Sequence, residues 1–545
     1  METDPVLGER FYGRRIVLET LEKRLLSFHL GYRQNIGVIG NPYIGKSSVV
    51  ANFLESRLAK PFIPVLIRLE EVDSFQAFSQ KWLGGILHGY RRFLGLPPAS
   101  DFQTLINEMR KLLPHVMKRM RAAKKLADKK EYNESYAELL RLLAELHEET
   151  KQKILLVIDE FDRLSCLPLK DPFAQLGREI MFQKNTMYVV TSSSPVRARD
   201  IFKEKLSLLF SNFEVIEIGH FSFEDAAFWV RKRLGHAHPE NFLTRVLLLL
   251  TNGHPFYLDV LLSRLENILK VKAAAKITQE IVEEALELEL FDSSGVLYQH
   301  FRMKIFSLTR NRSAYGYGDV LLAISIGHKK VSKIASYLGK SGEEVKKMLQ
   351  RLVLDSFVQK HGTFHDIPDS LFRFWLRETY FRKRASFDLN YAENKAAFRN
   401  SLRSFIELLA TEDGKGLPLR IESLFRAFKN ETVELGDRKI KLPKFTNVVS
   451  KPSDGRTFPL LAKSPHASWL CQVVKDRVEE EDVRYFIDHS KRFAPGRHGQ
   501  KKFLIALKGI ELNAKLLAQE TRLQLLDLRD LNTLLDLYGQ PKVIV

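Results

Sequence analysis

Up to about residue 220 the chain alternates short apolar runs with longer stretches in which apolar residues recur every three or four positions. The runs are "NIGVIG" (35–40), "FIPVLIRL" (62–69), "KILLVIDE" (153–160), "NTMYVVTSS" (185–193) and "FEVIEI" (213–218). Each is too short and too uniformly apolar for a surface helix, and reads as a strand buried on both faces. Strands separated by helices predict a parallel sheet covered on both sides, the doubly wound α/β arrangement. Ligands in such sheets sit beyond the carboxyl ends of the strands, so the residues just after these runs are the first place to look for chemistry.

After the first run comes "GNPYIGKSS" (40–48), and after that "SSVVANFLESRL", whose Val49, Val50, Phe53, Leu54 and Leu58 make one apolar helical face. Strand, glycine-rich loop and helix are the setting a phosphate cradle needs, because loop N–H groups and the helix N-terminus converge on the phosphates. The stretch Gly40, Asn41, Pro42, Tyr43, Ile44, Gly45, Lys46, Ser47 and Ser48 is expected to wrap the phosphates of ATP. In this reading Lys46 reaches the β- and γ-phosphates, Ser47 ligates Mg²⁺, and Pro42, which has no N–H, stiffens the loop.

The run "ILLVIDEFDRL" ends in Asp159 and Glu160. Two carboxylates closing an apolar strand are costly unless they face a polar site. Asp159 is expected to hold Mg²⁺ and Glu160 to orient and polarise the attacking water. Thr191 and Ser192, at the end of the fourth run, are expected to sense the γ-phosphate.

Together with "FYGRRIVLETLEKRL" near the start and "NGHPFYLDVLL" at 252–262, these motifs resemble an AAA+-related P-loop ATPase, in particular the archaeal-type branch of the STAND signal-transduction ATPases. The resemblance implies that Gly13 and Arg14 lie near the adenine end and that Pro255, in the G-x-P-x-x-L lid motif with Gly253, abuts the base. Members often carry a Gly-Arg pair after the sensor strand, where this chain has Ser211 and Asn212. Arg197 and Arg199 in "SSPVRARD" are substitutes for an arginine finger or a solvated basic loop, and no finger is assigned. Slow hydrolysis that resets a switch is the activity this pattern implies.

The expected domains are a P-loop core over 1–220 with a helical insertion at about 95–150, a helical lid over 221–295, a winged helix-turn-helix over 296–390 and a C-terminal α/β domain over 391–545. The insertion reads as an amphipathic helical pair, with Tyr136, Leu139, Leu140 and Leu143 as a core stripe and a basic segment at 110–130. "GYGDVLLAISIG", "KKVSKIASYLG" and "SGEEVKKMLQRLVLDSFV" read as three helices, and "FVQKHGTFHDI" as a hairpin around His361 and Gly362. Ser341 and Glu344 predict a capping box on the third helix. Its Lys346, Lys347, Gln350 and Arg351 face outward, suited equally to a DNA groove or to structural use.

From residue 395 the order of helices and strands resembles a restriction-endonuclease-like fold. Its metal site requires an acid on one strand and acid-x-Lys on the next, but here "QVVK" keeps Lys475 and puts Val473 where the carboxylate belongs. Glu422, Asp454, Gln472 and Asp476 are nearby but displaced, so the domain reads as catalytically inactive and kept for nucleic-acid or protein contact. The basic loop "KRFAPGRHGQKK" (491–502) suits phosphate or simple solvation.

Composition narrows the classes. An apolar fraction of 45% and a charged fraction of 28% over 545 residues fit roughly 3 or 4 folded domains. Only Cys166 and Cys471 occur, which excludes a disulfide framework or zinc cluster and fits a reducing cytoplasm. A net charge of +19 favours an anionic partner, nucleic acid (DNA is the expected one) or an acidic protein, and charge alone does not choose between them; no membrane is implied, and assembly into homo-oligomers on ATP binding stays open. The reading is an ATP-dependent switch. Its alternatives are a DNA-binding regulator with structural ATP and a nuclease with an unusual metal site.

Overall fold

The computed structural model describes residues 5–57, 62–70, 72–97, 99–206, 212–309, 316–385, 390–436, 438–450, 456–490 and 500–544. Ser211, Asp454 and the 491–499 part of the basic loop lie outside them, as does Leu58 of the expected helix face. The chain divides into two compact units, Met1–Phe221 with His254–Phe256, and Ser222–Gly253 with Tyr257–Val545.

The first unit is a mixed α/β structure with a parallel central sheet. Its strands are β1 (Asn35–Ile39), β2 (Phe62–Arg68), β3 (Lys153–Asp159), β4 (Thr186–Ser192) and β5 (Phe213–Glu217), in the order β2-β3-β4-β1-β5. All neighbours pair in parallel. Every residue of β1 and β4 is buried, which explains why these runs lack polar alternation. Because β4 lies between β1 and β3, the ends of the loop strand and of the acidic strand flank the same strand end, with Ile39 opposite Ser192.

The helix Phe75–Phe93, capped by Ser74 accepting from the Ala77 N–H at 3.2 Å, lies directly on β2. Two glycines one turn apart allow the contact. A Cβ on Gly85 would stand 2.7 Å from the Leu66 carbonyl oxygen, and one on Gly89 2.2 Å from that of Pro64. The insertion contains three helices, Phe102–Leu112, Pro114–Asp128 and Tyr132–Thr150, not a pair. Pro114 at the first turn separates the first two. Tyr136, Leu139, Leu140 and Leu143 are fully buried with Val116 and Met120, so the apolar stripe is core. Lys118, Arg121, Lys124 and Lys125 are exposed.

In the second unit, helices Tyr317–Ser325, Val331–Leu338 and Gly342–Leu354 precede a hairpin of β6 (Gln359–His361) and β7 (Phe364–Asp366). Ser341 accepts from the Glu344 N–H at 3.2 Å, but the Glu344 carboxylate turns to Lys340, so only one arm of the expected capping box forms. The hairpin tip is seated on a second hairpin, β8 (Glu431–Leu435) and β9 (Arg438–Leu442), through the Thr363 N–H donating to the Thr432 carbonyl at 3.1 Å. Strands β10 (Asn447–Ser450), β11 (Thr457–Ser464), β12 (Ala467–Val474), β13 (Gln500–Ala506) and β14 (Gln524–Asp527) form a second five-stranded sheet in sequence order. The first three run antiparallel and the last three parallel.

Substituting Gly89→Ala should lower unfolding stability by about 1–3 kcal/mol, because displacing a backbone carbonyl outweighs the roughly 1 kcal/mol of helix propensity that alanine gains. An unchanged denaturation midpoint would show that the helix can stand off β2 at no cost.

Candidate functional site

At the carboxyl edge of the first sheet, β1 runs into the loop Gly40–Gly45 and the helix Lys46–Asn52, continued by a π-turn over Phe53–Arg57. Gly40 is pinned between neighbours: its N–H donates to the Ser192 carbonyl at 3.2 Å, and a Cβ there would stand 2.4 Å from the Ile218 carbonyl oxygen. Gly45 adopts φ +95°, which turns the chain into the helix. The first bond inside that helix runs from the Val49 N–H to the Gly45 carbonyl, so the N–H groups of Lys46, Ser47 and Ser48 precede it and face outward along the axis.

Lys46 is only 4% exposed. Its Nζ donates to the Asn41 carbonyl at 2.9 Å and to Ser193 Oγ at 2.7 Å, and lies 3.9 Å from the Glu160 carboxylate. Ser47 Oγ donates to Asp159 Oδ2 at 3.0 Å, and Thr191 Oγ1 donates to the other oxygen of the same carboxylate. Glu160 has a left-handed backbone, φ 59°, with its N–H donating to Thr191 Oγ1 at 3.1 Å. That conformation costs about 1–2 kcal/mol for a residue with a Cβ. It aims the carboxylate at Ser193, whose N–H donates to one oxygen at 2.8 Å and whose hydroxyl donates to the other.

Burial pushes the Lys46 ammonium below its ordinary range, against the pull of Glu160 and Asp159. Burial likewise pushes the Glu160 carboxyl up, opposed by Lys46 and by both Ser193 hydrogen bonds. Asp162 is also buried, and its Oδ1 has no hydrogen-bond partner among the described residues.

The structure therefore brings Lys46, Ser47, Asp159, Glu160 and Thr191 together. It turns two expected residues elsewhere. Ser192 exchanges hydrogen bonds with the backbone of Ser194, and Ser48 Oγ accepts from the Val6 N–H at 3.0 Å, tying down the N-terminal segment. Ser193, outside the expected set, occupies the position between lysine and glutamate. Ser193 lies in the bend just past the end of β4, where no strand period applies; the available signal was the run of hydroxyls from Thr191 to Ser194 at the carboxyl end of that strand.

Around the loop, Asn41 and Pro42 are exposed and Ile44 is buried in the core, 1% exposed. Tyr43, also left-handed at φ 59°, stacks on Phe256 at 5.1 Å between ring centroids, next to Pro255. Arg14 donates to the Ile44 carbonyl at 3.1 Å and the Gly219 carbonyl at 2.6 Å, with its guanidinium 4.7 Å from the centre of the Phe221 ring. Gly13 leaves room for the same ring, 3.0 Å from where a Cβ would be. Arg199 is paired with Glu217, and Arg197 is exposed.

Residues 10–180 match the AAA ATPase domain family. The match supports a P-loop ATPase in this part of the chain, with ATP binding and hydrolysis as its general activity. No curated protein matches the chain. Among solved structures, a Walker-type ATPase of Pyrococcus abyssi is 17% identical, covering 67% of this chain and 96% of its own, at a TM-score of 0.48. The ORC2 protein of Aeropyrum pernix, solved in ADPNP-ADP complexes, is 12% identical over 74% of this chain and 98% of its own, TM-score 0.45. The RuvB Holliday junction branch migration motor of Thermotoga maritima is 14% identical over 67% and 96%, TM-score 0.31.

Both Ser193 bonds favour ionised Glu160; an alanine there keeps the N–H bond and loses the hydroxyl bond, which raises the Glu160 pKa. In Ser193→Ala the acid limb of the turnover-against-pH profile should therefore shift to higher pH. An unmoved limb, or one displaced to lower pH, would contradict the assignment of those bonds to the ionised carboxylate.

Proposed function

We propose that this chain is an ATP-binding, slowly hydrolysing switch whose nucleotide state sets the contacts of its winged helix and C-terminal domain. The observation that carries the reading is the single hydrogen-bonded cluster joining Lys46 and Ser47 to Asp159, Glu160, Thr191 and Ser193. The exposed N–H groups at the start of the loop helix suit phosphate oxygens. Lys46 exchanges the Asn41 carbonyl and Ser193 for the β- and γ-phosphates, and Arg14 holds the adenine-side backbone in place. Gly13 and Pro255 border the base.

Ser47 and Asp159 present hard oxygen donors 3.0 Å apart, a donor set that fits Mg²⁺. When bound there, Mg²⁺ neutralises charge on the β- and γ-phosphates. Once Lys46 leaves Ser193, Glu160 keeps the backbone N–H bond and is positioned to polarise a water, while Thr191 fixes Asp159 from the other side. Slow turnover follows from the lack of an assigned arginine finger: Arg199 is engaged by Glu217. Only differential contact with the γ-phosphate drives the switch.

The segment 296–390 is read as the winged helix-turn-helix and 391–545 as the nuclease-like domain. Loss of nuclease chemistry is supported by Val473, fully buried where the acid belongs, and by Glu422, whose carboxylate is occupied by Arg426 and Ser450. The second reading, a DNA-binding regulator, rests on the exposed face Lys346, Lys347, Gln350 and Arg351. Two of its charges are already shared, Lys346 with Glu343 at 2.9 Å and Arg351 with Asp355 at 2.8 Å, and the hairpin tip is occupied by β8. DNA or a protein is the partner, with ATP-dependent self-assembly as part of the same proposal.

Lys46→Ala should weaken ATP binding by about tenfold or more, a loss of roughly 1.4 kcal/mol at least. Glu160→Gln should retain binding and lower turnover about 10²–10³-fold. Undiminished hydrolysis in both variants would remove the proposed site. DNA binding that is steep in salt, indifferent to nucleotide and dependent on Lys346, Lys347 and Arg351 would favour the regulator.

A further inference from the structure

A cavity of about 330 Å³ lies wholly within the second unit. That volume falls in the range of small-molecule sites, roughly 300–1,000 Å³. One wall is apolar, with Leu249 and Leu250 of the helix Asn241–Thr251, Ile324, Phe374 and Leu409. At its mouth Leu408 and Ile326 are exposed, 47% and 41%, although both are large apolar side chains.

Part of the lining is ionic. Lys329 lies 2.9 Å from Asp366 and donates to the Asp536 backbone carbonyl at 2.5 Å. Arg373 donates to Asp366 at 3.0 Å and to Asp536 at 2.6 Å. Lys542 lies 3.6 Å from Asp536 and donates to Asn252 Oδ1 at 3.1 Å. Three cations thus share two carboxylates, while Arg377, the fourth cation of the lining, has its own partner in Glu378. Burial opposes the charge of Asp536, but Arg373, Lys542 and Lys329 hold its carboxyl well below the usual range. An excess positive charge at a largely buried wall is unfavourable without a counter-anion. Lys542 is the cation with donor capacity to spare, since its carboxylate contact is loose and an ammonium has three N–H groups.

We propose that this cavity binds a monoanionic amphipathic small molecule, an alkyl or aryl carboxylate whose head group meets Lys542 and whose apolar body lies along Leu249, Phe374 and Leu409. The neutral charge balance that results explains why apolar and cationic surfaces share one cavity. Nothing in the ATP reading depends on it.

Isothermal titration of the full chain with octanoate tests the proposal against octanol, octyltrimethylammonium and octyl phosphate. Octanoate should bind saturably at one site, and octanol and the cation at least tenfold more weakly. Lys542→Gln should weaken octanoate about tenfold and Lys542→Glu further, while Leu249→Trp, which fills the apolar wall, should abolish binding; melting curves establish that each variant is folded. The ligand comparison on the unaltered chain decides the matter even where a variant fails to fold. Octanol binding as tightly as octanoate, no saturation with millimolar octanoate, or a folded Lys542→Glu that binds like the parent would each overturn the proposal. Octyl phosphate binding tenfold more tightly than octanoate would overturn the monoanion assignment.

Discussion

A lysine ammonium removed from water must be compensated where it sits, and in this chain the whole edge of the first sheet is organised around that requirement. The effective cost of burying such an ion is several kcal/mol. At Lys46 it is met by one carbonyl, one hydroxyl and one carboxylate that come from three different segments of the chain. Remove any one and the others lose their reason for facing inward. The left-handed backbone of Glu160 goes with the same arrangement, its carboxylate accepting from the Ser193 hydroxyl and N–H.

Sheet order makes the compensation possible. With β4 lodged between β1 and β3, Thr191 and Ser193 extend from one strand end to the acids on one side and to the loop lysine on the other. The close packing of the Phe75–Phe93 helix on β2 through Gly85 and Gly89 supports the far side of β3. The chemistry of the edge therefore rests on contacts whose residues carry no chemistry themselves.

Strands β1 to β4 were legible because burial on both faces leaves a nearly uninterrupted apolar run, a signal that survives without knowledge of the partner, whereas β5 at the sheet edge is only partly buried, with Val215 and Glu217 exposed. Lys46, Ser47, Asp159 and Glu160 were legible because loop and strand end are fixed by local chain geometry. Ser193 was not, because it lies in the bend beyond the end of β4, where its direction is set by the turn and not by a strand period. The role of Ser48 in holding Val6, the seating of the hairpin tip on β8, and the tolerance of two glycines inside a long helix all depend on approach of distant segments. No local pattern encodes such approach. The ionic wall of the second-unit cavity is of the same kind, assembled from Lys329, Arg373, Asp536 and Lys542, which are more than two hundred residues apart at the extremes.

Lys46 and Glu160 thus form one compensated unit rather than two independently buried charges. A double-mutant cycle of Lys46→Met and Glu160→Gln, read as unfolding free energy of the nucleotide-free protein, tests it most directly. Each single change should destabilise by leaving a buried charge uncompensated, and the double change should cost less than the two together by about 1–3 kcal/mol. Losses that simply add would contradict the account.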